Sequence, residues 1–146
     1  MFIEKRREAR VTGCLPVELV LRAKKSGASV CDPLPALIVN LSSRGACLLL
    51  ESIRIDTYHF FYTPRDKSTL TLFLIADKAG LTDVAIPIWP VRFDRLLWEE
   101  AKPFEMGVEF LLPARDGQVQ NLQARLLEVR DRSSDIREGF RLHVQV

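Results

Sequence analysis

The chain has 146 residues, 47% of them hydrophobic, and its 21 lysines and arginines almost balance its 19 aspartates and glutamates. This length and composition predict one globular domain with a single core and argue against a disordered or multidomain protein. The net charge of +2 resides in the first ten residues, which hold four basic residues against two acidic ones. Proteins that bind long nucleic acids spread basic residues along a face, so nucleic acid is not an expected partner.

The cysteines predict neither a disulfide framework nor a zinc site. Cys14, Cys31 and Cys47 lie sixteen or more residues apart and form no C-x-x-C pair or cluster with a histidine. The N-terminal sequence lacks the apolar stretch of a signal peptide, and apolar runs such as residues 72–76 are much shorter than a membrane span. We therefore expect a cytoplasmic protein with reduced thiols, no metal or other cofactor, and no membrane insertion.

In the first half of the chain, apolar and polar residues alternate in short segments separated by turn residues. Leu15 to Ala23 is the first such segment and predicts a strand with one buried face. Residues 24–35 are rich in turn-forming residues and predict a loop. Two further strands, Ala36 to Leu41 and Ala46 to Leu50, are predicted on either side of a tight turn over residues 42–45.

The second half of the chain continues the same pattern. Thr69 to Ala76, Val84 to Phe93 and Phe104 to Leu112 predict three more strands. Proline cannot donate a ladder hydrogen bond, so Pro87 and Pro90 indicate that the second of these strands lies at an edge or contains a bulge. The elements together predict a mainly β, antiparallel architecture.

Three segments differ from this pattern. Residues 52–67 are aromatic without clear alternation, and we predict an irregular segment there. Apolar residues at three- and four-residue spacing predict one helix over residues 116–130, with Asp116 as its cap. Phe140 to Val146 alternates again, which is compatible with a last strand or with a strand that faces a partner.

Two short motifs carry the functional information. Arg6, Arg7 and Arg10 place guanidinium groups on a basic N-terminal arm, and Asn40-Leu41-Ser42-Ser43-Arg44-Gly45 places an amide, a hydroxyl and a glycine at fixed spacing in a turn. An arginine fork meets two adjacent acceptors, such as guanine O6 and N7, in one plane, and it also binds phosphate. Both motifs therefore suit a small anionic ligand with purine bases.

The sequence resembles the PilZ family of bacterial cyclic di-GMP receptors, whose pattern is R-x-x-x-R followed by [D/N]-x-S-x-x-G. Arg6 and Arg10 match the first element, and Asn40, Ser42 and Gly45 match the second. The resemblance implies a small antiparallel β-barrel with a C-terminal helix: a mobile arm over residues 1–12, the barrel over 13–112, the helix over 116–130, and an additional segment, 131–146, that is either a strand or a partner surface.

The resemblance also implies roles for these residues. The arm closes over cyclic di-GMP, and Arg6 and Arg10 bind guanine edges and phosphates. Arg7 either adds a phosphate contact or stays solvated. The Asn40 amide faces the Watson–Crick edge of a guanine, while Ser42 donates to a phosphate or braces the turn. Glycine at position 45 permits either a positive φ or a close approach of the backbone to the ligand.

The remaining polar and aromatic candidates are expected to be structural. We predict that Arg44 lies on the surface, that His59 and His143 occupy exposed or core positions, and that Trp89 and Trp98 pack at the barrel rim or in the core. No nucleophile elbow, phosphate-binding glycine loop or His-Glu metal spacing is present, so we expect no enzyme activity.

Simpler interpretations of both motifs stay open. Arginines near a terminus are often a solvated basic segment, and Asn, Ser and Gly are favoured in an ordinary β-turn. The alternative function is a PilZ-like protein-interaction module that does not bind the nucleotide. Ligand stoichiometry, the protein effector and the choice between monomer and homodimer are not determined by the sequence.

Overall fold

The computed structural model describes residues 11–97 and 101–144, with residues 131–144 as backbone only. The strands in this part of the chain are β1 Val11–Ala23, β2 Leu34–Leu41, β3 Gly45–Leu50, β4 Arg54–Ile55, β5 Tyr58–His59, β6 Leu70–Ile75, β7 Ala85–Arg95 and β8 Phe104–Phe110. Six of them form a closed antiparallel barrel in the order β1-β2-β3-β8-β7-β6, and β4 and β5 form a separate two-stranded sheet. The six strands predicted between residues 15 and 112 are thus all present, and the first begins at Val11 rather than Leu15.

The core is apolar because alternate residues of each barrel strand point inward. Among the described side chains, none of the buried ones is polar or charged. The largest fully buried side chains are Phe60, Leu15, Leu19, Leu21, Ile38, Leu41, Leu48, Leu50, Leu72, Leu74, Ile86 and Ile88. The intervening residues, except the buried Val20 of β1, remain at least partly exposed on the outer face.

The edge position predicted for the strand with two prolines is wrong, and the bulge is confirmed. Strand β7 pairs with β6 on one side and β8 on the other, and a closed barrel has no edge. The register shifts between Pro90 and Arg92, so Val91 is the extra residue of a bulge. The carbonyl of Pro87 still accepts a hydrogen bond from the amide of Leu111, at 2.8 Å.

The prediction of an irregular segment over residues 52–67 is also wrong. Strands β4 and β5 form a hairpin whose turn contains Asp56 with φ of 54°, and helix α1, Tyr62–Asp66, follows. Elements of two to five residues are too short to produce a hydrophobic period, which explains why the sequence pattern did not indicate them.

Helix α2, Gly117–Val144, packs on the outside of β1. Its predicted cap is confirmed, because Asp116 Oδ1 accepts a hydrogen bond from the Gln118 amide at 2.8 Å. Gly13 allows close packing: a Cβ there would lie 2.9 Å from Leu126 Cδ1. Within the described ranges, no helix is both long and apolar enough to cross a membrane.

Helix α2 extends well past the predicted end at residue 130, so a strand within residues 140–144 is wrong. In the sequence, Ile136, Phe140 and Val144 are four residues apart, a spacing that a helix satisfies as well as alternation satisfies a strand. Continuation of an established helix costs less than nucleation of a new element, which favours the helix.

Candidate functional site

Ser42 braces the tight turn between β2 and β3. Its Oγ accepts hydrogen bonds from the amides of Arg44 and Gly45, at 3.2 and 3.3 Å, and its own amide donates to the Gly45 carbonyl at 2.9 Å. The hydroxyl lies 3.5 Å from that carbonyl, at the limit of a hydrogen bond. The hydroxyl proton can therefore turn to a stronger acceptor, such as a phosphate oxygen, without loss of the two bonds that shape the turn.

Gly45 is required by the packing of the barrel. Among the described glycines, Gly27 and Gly80 have positive φ and Gly45 does not, so the positive φ allowed for this position is absent. A Cβ on Gly45 would instead lie 2.1 Å from the carbonyl oxygen of Val108 on β8. The close approach at Gly45 is thus to a neighbouring strand, and it brings the turn against β8.

Asn40 lies within β2, one residue before the end of the strand, rather than in the turn itself. It is half-buried, and the adjacent register shift between Ile38 and Asn40 places it opposite Cys47 of β3. On the other side it lies opposite Thr12 of β1. The amide of Asn40 is therefore on the outer face, at the corner where the chain enters the barrel.

The arm residues Arg6, Arg7 and Arg10 lie outside the described residues. The point from which they extend is described: Val11 pairs with Leu41, and Thr12 pairs with Asn40. Arg6 is five residues before Val11, and five extended residues span at most about 17 Å. The covalent link to β1 therefore limits every arginine of the arm to about this distance from Val11.

A row of outward-facing positions continues from Asn40 across the barrel. The paired positions, one from each successive strand, are Thr12, Asn40, Cys47, Gly107 and Arg92. Sequence reasoning missed Arg92, because its relation to Asn40 depends on the register of four strands. Gly107, the residue between the buried Met106 and Val108, is the position over which Arg92 lies.

Trp89 lies on the outer face of β7 rather than in the core, and it is 39% exposed. The guanidinium of Arg65 lies between two rings, 5.5 Å from the centre of Trp89 and 5.0 Å from that of Phe61. Tyr62 and Val91 are 53% and 44% exposed. The surface formed by Tyr62, Arg65, Trp89 and Val91 is called the aromatic patch below. Trp98 lies outside the described residues.

His59 is a structural residue of the segment before α1. Its Nδ1 accepts hydrogen bonds from the amides of Phe61 and Tyr62, at 3.2 and 3.1 Å. Burial, and then the positive charge of Arg54, lower the pKa of His59 from its ordinary value of 6.5. The imidazole is thus held neutral, as its acceptor role requires.

Acidification is expected to destabilise the fold through His59. A lowered pKa in the folded state means that the unfolded chain binds more protons once the pH falls below 6.5. The stabilisation is complete above that value and is lost as the pH falls through the folded-state pKa. Thermal unfolding at about pH 7.5 and about pH 5.5 measures this effect. The Tm of His59→Asn, which keeps an acceptor but does not titrate, should fall less between these two pH values than the Tm of wild type. An equal loss in both proteins would contradict this role.

The side chain of His143 belongs to the backbone-only part of the helix and is not described, whereas Arg44 is exposed, as expected. Among the described side chains, those of residues 11–97 and 101–130, no three His, Cys, Asp or Glu side chains come together as a metal site. A hollow of about 200 Å³ beside Pro16 and Leu37 is smaller than the roughly 300–1,000 Å³ of typical ligand pockets.

No protein-family model and no curated protein matches the sequence. The structure, however, is similar to the PilZ domain of YcgR from Escherichia coli, which was solved with c-di-GMP. The TM-score is 0.53 at 13% identity, over 92% of this chain and 98% of that domain. The chain has the PilZ fold. The inhibitor of motility MotI (DgrA) of Bacillus subtilis gives a TM-score of 0.46 at 14% identity, over 89% of this chain and 52% of that one.

The PilZ fold confirms the predicted fold class, a closed antiparallel barrel with a C-terminal helix. It also places the N-x-S-x-x-G motif where two barrel strands meet, with Asn40 in β2 and Gly45 at the start of β3.

Proposed function

We propose that this protein is a non-enzymatic receptor for cyclic di-GMP that relays ligand binding to a protein partner in the bacterial cytoplasm. One observation carries the proposal: the register of β1 on β2 places Thr12 opposite Asn40. Arg10 precedes Thr12 by two residues, so it starts within about 7 Å of that position along the chain. This connection supports a site to which both sequence motifs contribute, although they are far apart in sequence.

The chemistry at this corner suits the parts of the ligand. The forks of Arg6 and Arg10 match guanine O6 and N7 and the phosphates, and Arg7 adds a phosphate contact. The Asn40 amide both donates and accepts, as the Watson–Crick edge of guanine requires. The Ser42 hydroxyl donates to a phosphate, and Gly45 holds the turn close to β8.

The relay follows from the position of α2. The helix packs on β1 at Gly13, next to the point where the arm enters the barrel. Ligand binding draws the arm onto the outer face, and helix and arm together form the surface that a partner recognises. We assign residues 1–10 to the arm and residues 131–146 to the partner surface, on a monomer or homodimer. The predicted arm boundary at residue 12 is two residues too long, because Val11 and Thr12 pair with β2 as part of the barrel. The arm is in equilibrium between an arrangement on the outer face and one away from it. The ligand shifts this equilibrium only by as much as its affinity differs between these two arrangements.

Isothermal titration of the full chain with cyclic di-GMP tests the proposal, with GTP and cyclic di-AMP as controls. We expect micromolar or tighter binding and about tenfold weaker binding for Asn40→Ala, because a desolvated hydrogen-bonding edge of the base is then left unpaired. Asn121→Ala is the matched control, since Asn121 is exposed on α2. No heat and no thermal shift with cyclic di-GMP would overturn the proposal.

The aromatic patch favours a second candidate function, a PilZ-fold interaction module that does not bind the nucleotide. Exposed apolar side chains that lie together mark surfaces that bind other proteins. Tyr62, Trp89 and Val91 are such side chains. Arg65 contacts the rings of Trp89 and Phe61, and the ring of Phe61 in turn contacts Tyr62. A chain that fails to bind cyclic di-GMP but loses a protein partner upon Trp89→Ser would have this function instead.

A further inference from the structure

The side chain of Arg92 crosses from β7 over β8 toward the β2–β3 motif. Gly107 is its paired position on β8, and a Cβ there would lie 3.0 Å from both Cγ and Nε of Arg92. Beyond β8, Arg92 Nη2 is 4.0 Å from Cys47 Sγ on β3. Neighbouring strands lie about 4.8 Å apart, so the guanidinium is about one strand away from Asn40 on β2.

Two carboxylates hold this guanidinium through one of its nitrogens. Arg92 Nη1 donates to Glu105 Oε1 at 3.1 Å and to Asp94 Oδ2 at 3.3 Å. Both contacts use Nη1, so the edge formed by Nε and Nη2 takes part in neither ion pair. On that edge, Nη2 makes a long contact with Cys47 Sγ at 4.0 Å, and sulfur is a weak acceptor that a guanine oxygen or nitrogen can replace. The carboxylates therefore position the guanidinium and leave a second edge for a ligand.

The local charge determines which ligand groups the Nε and Nη2 edge of Arg92 can bind. Two carboxylates surround one guanidinium, which makes the immediate environment negative and unfavourable for a phosphate. A neutral base with two adjacent acceptors meets no such repulsion. Guanine presents O6 and N7 in that arrangement, and an arginine fork binds both in one plane.

We propose that Arg92 binds the O6 and N7 edge of one guanine of cyclic di-GMP and is a specificity-determining residue of the site. Glu105 is its positioning residue. This assignment rests on the proposed function, and it adds to the two sequence motifs a third contact, on the β7 side of the barrel. The bound ligand then extends from Asn40 across β3 and β8 to Arg92.

Titration with cyclic di-GMP and with its 7-deazaguanine analogue, which has a C–H in place of N7, tests the assignment. Arg92→Ala should bind cyclic di-GMP about tenfold more weakly than wild type. Wild type should bind the analogue more weakly than cyclic di-GMP, and this penalty should shrink in Arg92→Ala. Arg95→Ala is the matched control, because Arg95 is exposed on the same strand and its guanidinium lies over Phe104.

The positioning role of Glu105 has its own test. Glu105→Ala should weaken cyclic di-GMP binding about threefold in the wild-type background and have no effect when Arg92 is already alanine. A merely structural role for Glu105 would weaken binding equally in both backgrounds. Circular dichroism of each variant verifies the fold, and Arg92→Gln serves as a second variant should Arg92→Ala not fold.

The outcomes separate this assignment from the proposed function. Wild type that does not bind cyclic di-GMP overturns the proposed function and this assignment with it. Binding that weakens in Asn40→Ala but not in Arg92→Ala overturns the assignment alone. Weaker binding in Arg92→Ala with the full analogue penalty retained means a phosphate contact and also overturns it.

Discussion

Gly45→Ala is expected to destabilise the barrel by about 3 kcal/mol or more, a cost at the upper end of those caused by overpacking. The new Cβ would lie 2.1 Å from the Val108 carbonyl oxygen and 3.2 Å from Glu109 Cα. Both atoms belong to the backbone of β8, so no side-chain rotation relieves the contact. Strands β3 and β8 must separate, and the barrel is closed through this pair.

Urea denaturation followed by circular dichroism measures this cost. Gly117→Ala is the control: no heavy atom lies within 4 Å of a Cβ at Gly117, so its midpoint should not fall. A Gly45→Ala protein with the wild-type midpoint would contradict the packing role. Should such a stable variant also lose cyclic di-GMP binding, glycine at this position would serve the ligand rather than the strand contact.

The strands of the barrel could be predicted because each is long enough to alternate. In β1, for example, Leu15, Val17, Leu19 and Leu21 are buried in a strict period of two. The closure of the barrel could not be predicted in this way. It depends on pairings between distant segments, β1 with β6 and β3 with β8, and periodicity contains no information about which strands become neighbours.

The segments predicted incorrectly have two different physical causes. The β4–β5 hairpin and α1 are too short for a period, and α1 begins with His59 Nδ1 as an acceptor rather than with a side chain typical of a helix cap. The C-terminal tail satisfies both a strand and a helix period, and its connection to an established helix decides the outcome.

The candidate site shows the same division between local and long-range information. Asn40, Ser42 and Gly45 could be found because they lie within six consecutive residues of one motif. Arg92 could not, because its position relative to them results from three strand registers, β2 on β3, β3 on β8 and β8 on β7, and from the absence of a side chain at Gly107. For Gly45 the sequence predicts either a positive φ or a close approach of the backbone to the ligand, whereas the structure shows no positive φ and a close approach to the backbone of β8.

The double substitution Arg6→Ala and Arg10→Ala is expected to abolish cyclic di-GMP binding, with a loss of affinity on the order of a hundredfold or more. Each guanidinium makes charge-assisted or bidentate hydrogen bonds in the proposed complex, worth about 1–3 kcal/mol each, so two such losses amount to roughly 2–6 kcal/mol, and the middle of that range exceeds the roughly 2.7 kcal/mol of a hundredfold change. The arm precedes β1, whose described pairs with β2 begin at Val11, so the Tm of the free protein should change little.

A matched control separates loss of the arm from loss of charge. The Arg95→Ala and Arg115→Ala double variant removes the same two positive charges from exposed positions elsewhere on the chain and should retain wild-type affinity. If binding depended on charge alone, both double variants would weaken equally and the salt dependence would be steep.

Wild-type affinity in the Arg6 and Arg10 variant would remove the arm from the mechanism, and Asn40, Ser42 and Arg92 would then have to hold the ligand alone. Those three residues lie on the outer face. Titration of the Arg6→Ala, Arg10→Ala and Asn40→Ala triple variant would then decide whether the ligand is held with the arm or by the outer face alone.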